Sequence, residues 1–299
     1  MSVLFRLRER AFLARQRGRL ERLAAYRRPA LDVPALCAAV RRKTVVLTVT
    51  GGRTGTTFLT HLFALCPDTT SLHEPEPSFV PVLRRAQHEP DLARRFLLEY
   101  KLPFIAGVAT RRYVETGHLW CKGFLAPLLA LGIAPQVVAL RRAPRRVAAS
   151  LLSRHTVPGR GKLGLKYLLH PLDPGVLPLP DWGRRSDYQC CFWYALEMER
   201  RQRDERAPVE AAGGGWVDVT AEELHEPERF LAVARALQLV DDATAVAALR
   251  VGHARVAGVT HNPNAAAVPV ADAAAQEEAV WAAVRRPDLR AWVESRYAG

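Results

Sequence analysis

The stretch from Thr44 to Glu74 limits what this chain can fold into more than any other. Thr44 to Thr50 is a nearly unbroken run of Val, Leu and Thr, the residues that fit a strand buried on both faces. It breaks at Gly51-Gly52. The chain then restarts as a helix with Phe58, Leu62 and Leu65 at i, i+4 and i+7, and stops where Cys66 meets Pro67. Strand, glycine turn and helix together aim free backbone N–H groups and the positive end of a helix dipole at an anion. Gly52, Arg53, Thr54, Gly55, Thr56 and Thr57 therefore read as a phosphate cradle, with one guanidinium and three hydroxyls added to the backbone donors.

The same alternation continues downstream. Thr69 to His73 reads as a second strand, ending in His73-Glu74-Pro75-Glu76-Pro77, and helical patterning fills Val82 to Tyr100, divided at Pro90. Tyr113 to Phe124 reads as a strand leading into a loop with Lys122 at its end. Gln136 to Arg141 is another buried strand, after which Pro144 opens a helix at its preferred first position. Val157 to Trp182 is rich in Gly, Pro and Leu, the composition of a binding lid or insertion. Asp187 to Arg206 predicts a helix whose aromatic start (Tyr188, Phe192, Trp193, Tyr194) suits a core better than an acceptor pocket. A strand at Trp216 to Val219, helices at Pro227 to Leu239 and Ala243 to Val251, and two helical pieces around Pro287 complete the chain. Strands and helices alternating in this way imply an α/β fold, a parallel central sheet with helices on both faces in a three-layer sandwich; with the glycine turn after its first strand it resembles the P-loop nucleotide-kinase-like kind. No repeat or linker divides residues 31–299, so they are expected to form one domain, preceded by a basic helix over residues 1–30.

Composition narrows the setting. Across 299 residues there is no run of 18 apolar positions and no secretory leader pattern, and the five cysteines (Cys37, Cys66, Cys121, Cys190, Cys191) show no C-x-x-C spacing. They are expected to be free thiols in a reducing cytoplasm, the adjacent pair packed on a helix. The net charge is +13, and residues 1–30 hold nine Arg against Glu9 and Glu21, over half of the excess. That segment reads as a solvated helix or, alternatively, as an interfacial helix on anionic lipid. The histidines show neither H-E-x-x-H nor Cys/His ligand spacing, so no metal is expected.

The cradle lacks the pattern of an ATP-binding loop, G-x-x-x-x-G-K-[ST], since no lysine follows Gly55. The run RTGTT at 53–57 resembles instead the 5′-phosphosulfate loop of sulfotransferases that use 3′-phosphoadenosine 5′-phosphosulfate (PAPS). Leu140 to Arg154, LRRAPRRVAASLLSR, is similar to the 3′-phosphate motif of that family: strand, Arg, turn, helix, Ser, with Arg142 and Ser150 eight residues apart. Ala143 departs from the Asp or Asn that many members carry there, a loss that concerns capping of the turn. The segment Trp216 to Leu239 also resembles the family's strand, acidic residue, Pro and helix.

The resemblance implies that Arg142 and Ser150 hold the 3′-phosphate, that Arg53 and the amides of 54–57 hold the 5′-phosphate, and that Lys122 contacts the transferring sulfuryl. Lys122 reads equally well as a solvated lysine at a strand end. Sulfuryl transfer resembles phosphoryl transfer through a loose, in-line transition state and needs a base for the acceptor hydroxyl. By likeness to carbohydrate-type members, particularly bacterial carbohydrate and glycolipid sulfotransferases, the base is expected at Glu74, with His73 and Glu115 in reserve and a salt bridge to a nearby Arg as the plain alternative. His253 and residues 258–262 resemble a segment that closes over the nucleotide in bacterial members. The resulting expectation is a cytoplasmic, PAPS-dependent transferase acting on a sugar or glycolipid hydroxyl, with no nucleic-acid partner and with peripheral membrane contact through the N-terminal helix as the alternative to a solvated one. The rivals are a P-loop-like kinase or NTPase and a non-catalytic basic RNA- or membrane-binding protein.

Overall fold

The alternating Val, Leu and Thr residues of the strands sort themselves between two separate cores, which is what builds three layers here. Val45, Leu47 and Val49 of the first strand face one core together with Tyr113, Val137 and Ala139. Val46 of the same strand faces the other core, with Val114, Val138, Leu140 and Val219. A strand that buries both faces needs an apolar residue at nearly every position, and this explains the continuous runs. The computed structural model describes residues 32–241, 243–259 and 269–298, residues 23–28, and isolated positions between 11 and 21. The expected helix over residues 1–30 and the His261-Asn262-Pro263 segment lie largely or wholly outside the described residues.

In chain order the elements are α1 (Val33–Arg41), β1 (Thr44–Val49), α2 (Thr56–Phe63), β2 (Thr69–His73), α3 (Leu83–Ala86), α4 (Pro90–Phe96), α5 (Leu102–Gly107), β3 (Arg112–Thr116), α6 (Leu125–Ala130), β4 (Gln136–Arg141), α7 (Pro144–Ser153), α8 (Gly161–Tyr167), α9 (Asp187–Ala211), β5 (Trp216–Thr220), α10 (Pro227–Ala236), α11 (Ala243–Ala257), α12 (Ala273–Val284) and α13 (Pro287–Arg296). The five strands form one sheet in the order β2-β3-β1-β4-β5. Every pairing is parallel, with Leu47 opposite Glu115 and Val49 opposite Ala139. Residues of α2, α10 and α11 pack on one face, and α1, α3 to α7, α9, α12 and α13 contribute to the other. The α/β three-layer arrangement expected from the sequence is therefore the one observed.

Sheet order positions the site. From β1 the chain crosses over β3 to reach β2, whereas β4 leaves on the other side of β1, so connections diverge at the carboxyl ends of β1 and β4. Such a switch point opens a crevice where ligands of open α/β sheets bind. The glycine turn and Arg142 flank it.

Several expected boundaries shift. β3 ends at Thr116, so Lys122 lies in a turn six residues beyond the strand and not at its end. Residues 157–182 contain α8 and a short 3₁₀ turn at Trp182–Arg184. α9 runs on to Ala211, through Pro208. Its aromatic start is core: Tyr188, Phe192, Trp193 and Tyr194 are buried, as are both adjacent cysteines, and all five cysteines are free thiols. No helix among the described residues is long and apolar enough to cross a membrane.

Candidate functional site

Three departures from ordinary backbone within four residues make the turn after β1. Gly52 (φ 80), Arg53 (φ 61) and Gly55 (φ 98) all adopt left-handed conformations, and Gly55 is the N-cap of α2 with no side-chain cap. The first-turn amides of α2 thus lack intrahelical acceptors and face the crevice end of the sheet. Substitution at Gly55 meets a second obstacle, since a Cβ there would lie 2.8 Å from that of Ala221. The hydroxyl of Thr54 turns inward, 2.7 Å from that of Thr50, which in turn accepts from the Gly52 amide. Thr54 therefore braces the loop, while Thr56 and Thr57 stay partly exposed.

Arg142, at the carboxyl end of β4, donates to the Arg53 carbonyl at 2.7 Å. Arg53 Nε donates to Ser150 Oγ of α7 at 3.2 Å. The two motifs separated by about ninety residues thus close into one structure, with Ser150 delivered by α7 and Arg53 by the glycine turn. Ala143, the N-cap of α7, provides no side-chain cap. Burial, then Arg154 and Arg142, push the Arg53 guanidinium below its ordinary value. Burial also lowers Arg142. Neither Arg53 nor Arg142 forms an ion pair with a carboxylate among the described residues. Glu222 partly offsets the effect of burial on Arg142, and two guanidiniums held together with no paired carboxylate suit an anion.

Beside this crevice lies a line of three side chains. The Glu74 carboxylate, just past β2 at φ 44, lies 3.2 Å from His118 Nε2. The other ring nitrogen, Nδ1, is hydrogen-bonded to Lys122 Nζ. Lys122 Nζ also donates to the Tyr167 carbonyl at 2.6 Å and sits 5.2 Å from the centre of the Tyr194 ring. Tyr194 donates to the Gly51 carbonyl at 3.0 Å, tying this corner to the glycine turn. Lys122 is fully buried and so is not the solvated lysine of the alternative reading. Burial lowers its amine to about 7. His118 is held well below its ordinary value by burial and then by Lys122, His73 and Arg53. Glu74 keeps 24% of its side chain exposed and pairs with a histidine, not with an arginine.

The reserve residues fare differently. Glu115 is buried and accepts hydrogen bonds from Lys101 Nζ and the Tyr113 hydroxyl, so its oxygens are occupied. It still lines, with Glu74, Ser78, Phe79 and Trp120, a small cleft beside the line. His73 Nδ1 lies 3.2 Å from the Thr116 hydroxyl. His253 is buried, bonded to the Leu224 carbonyl and stacked on Phe230.

His118 and Tyr194 are the residues that sequence reasoning missed. The signal for His118 was its four-residue spacing from Lys122 after Gly117, and for Tyr194 there was none beyond a core-like aromatic run. No group of three or more His, Cys, Asp or Glu among the described residues is placed to hold a metal ion. Compared with protein-family models, with curated proteins and with solved structures, the chain shows no match to any.

Proposed function

We propose that the chain is a PAPS-dependent sulfotransferase acting on a hydroxyl acceptor, of the sugar or glycolipid class, with a P-loop-like cradle for the donor. The observation that carries this reading is the closed pair of contacts from Arg142 to the Arg53 carbonyl and from Arg53 to Ser150. A donor with phosphates at both ends of one ribose needs two anion sites a few ångströms apart, and an ordinary nucleoside triphosphate does not. Arg142 and Ser150 bind the 3′-phosphate; Gly52, Gly55 and the amides of Thr54, Thr56 and Thr57 bind the 5′-phosphate with Arg53. As the sulfuryl group leaves, negative charge grows on the bridging oxygen, where the loop amides and Arg53 oppose it.

Glu74 takes the acceptor proton. Its partial exposure and its place past β2, on the same sheet edge as the cradle, support that role. Lys122 stands behind His118 and acts on the site through the imidazole. Such a protein would work in the cytoplasm, where the nine arginines of its N-terminal segment suit an acceptor borne on an anionic membrane.

Calorimetry tests the donor site: adenosine 3′,5′-bisphosphate is expected to bind at least tenfold more tightly than ADP, and equal affinity would end the assignment. Replacing Glu74 with Gln should lower turnover by about 10²- to 10⁴-fold, the usual contribution of a general base, with nucleotide affinity unchanged.

A further inference from the structure

The turn after β3 inserts an imidazole between a carboxylate and an amine, with a different ring nitrogen committed to each. Two glycines make the room. A Cβ on Gly117 would lie 2.8 Å from Glu74 Cγ, and one on Gly52 would lie 3.3 Å from His118 Cγ. We propose that Glu74, His118 and Lys122 form a single proton line, in which His118 passes the proton collected by Glu74 to the amine of Lys122 beneath the phosphate loop. The inference rests on the sulfotransferase reading for the source of that proton, and on the apo geometry alone for the line itself.

The step balances as follows. At the start Lys122 is a neutral amine accepting from His118 Nδ1–H, and Nε2 is unprotonated. The acceptor oxygen bonds to sulfur, the bond from sulfur to the bridging oxygen breaks, and its electron pair leaves on the 5′-phosphate. Glu74 takes the acceptor proton and yields it to Nε2, while Nδ1–H moves to Lys122 Nζ. The line ends as carboxylate, imidazole protonated on Nε2, and ammonium. A positive charge thus forms on Lys122 as a negative one forms on the leaving phosphate. Return of the Lys122 proton to Nδ1, with release of the Nε2 proton to water through the partly exposed Glu74, resets the line.

The groups facing His118 suit a carrier. Lys122 comes from its own turn, Glu74 and His73 from the end of β2, Arg53 from the glycine turn and the Tyr167 ring from α8, 6.0 Å away. Burial and the cations keep the imidazole neutral, so it does not trap the proton it relays. The amine at the end of the line, lowered to about 7 by burial, exists in both forms near neutral pH.

Two measurements on the full chain decide the matter. The first uses PAPS with water as the hydroxyl acceptor and follows sulfate release. In wild type the rate should rise with pH through an inflection near 7. His118→Asn should cut it about 100-fold, within the range expected for proton transfer, and added imidazole should restore about tenfold. Lys122→Met should abolish the inflection. An unchanged rate in folded His118→Asn, or a loss that imidazole does not repair, overturns the relay.

The second is ¹⁵N NMR of the histidine ring nitrogens without any ligand. The His118 tautomer should change as pH crosses the Lys122 titration, and Lys122→Met should remove that change; a His118 signal indifferent to Lys122→Met overturns the line whatever the activity. If wild type neither hydrolyses PAPS nor binds adenosine 3′,5′-bisphosphate, the sulfotransferase reading falls, and the NMR result alone upholds or overturns proton sharing.

Discussion

Replacing Lys122 with Met should change how stability depends on pH, in a direction and amount the burial of the amine dictates. The folded protein holds this amine at about 7, against an ordinary 10.5. At 1.36 kcal/mol per pH unit, a gap of roughly 3.5 makes the buried ammonium cost about 5 kcal/mol as an upper figure. Below pH 7 both folded and unfolded chains carry the proton, so the whole cost is present. Between about 7 and 10.5 the unfolded chain binds the proton and the folded one does not, and stability rises with pH. Above 10.5 the cost is gone.

The Met variant lacks this term, although it also loses bonds to His118 and the Tyr167 carbonyl, about 1–3 kcal/mol together and the same at all pH values. Burial raises Glu199 to about 7 and Glu205 to about 8, which makes stability fall as pH rises from the ordinary carboxylate range to those values. Both proteins share those carboxylates, so the difference between them isolates the lysine. Denaturant melts of both at pH 7 and pH 9 should show wild type gaining about 2 kcal/mol on the variant, since the folded amine is still half protonated at pH 7. A difference constant to within about 0.5 kcal/mol would refute the reasoning and the near-neutral amine with it.

Other substitutions test the scaffold and the anion site. Arg84 donates twice to Asp173, at 2.6 and 2.7 Å, in a pair whose side chains are 9% and 2% exposed. Arg84→Ala leaves that carboxylate buried with little compensation; it should cost about 3–5 kcal/mol and expose residues 157–182 to protease, measured by melting and limited digestion. Gly52→Ala should cost about 1–2 kcal/mol from its left-handed backbone and also displace the His118 ring, visible as a shifted histidine signal. Arg142→Ala should weaken binding of adenosine 3′,5′-bisphosphate by about 10- to 100-fold while leaving ADP affinity nearly unchanged, since a charged hydrogen bond contributes about 1.5–3 kcal/mol.

How much was legible depended on the range over which each feature is decided. β2 and β4 match their expected limits residue for residue, because a strand buried on both faces writes itself as a local apolar run. The spacing of Arg142 and Ser150 was foreseeable, but the bond from Arg53 to Ser150 was not, and it is realised because the switch point brings the ends of β1 and β4 side by side. His118 was illegible. Its importance comes from a turn after β3 that folds Lys122 back under the imidazole, and from Glu74 arriving from β2, which pairs with β3. No window of sequence contains all three. The strand leading into a loop expected over 113–124 is present as β3 and the turn after it, but that Gly117 and the tight turn around 119–123 fold Lys122 back was not legible.

The left-handed backbone at Arg53 carries one more consequence. A side chain in that region costs about 1–2 kcal/mol that glycine would avoid. The same position crowds a guanidinium against two others, and their mutual repulsion weighs on this corner of the protein. Any polyanion that settles there turns the repulsion into attraction and finds the loop already bent. Binding of one should therefore tighten the whole switch-point region more than the number of new contacts would suggest.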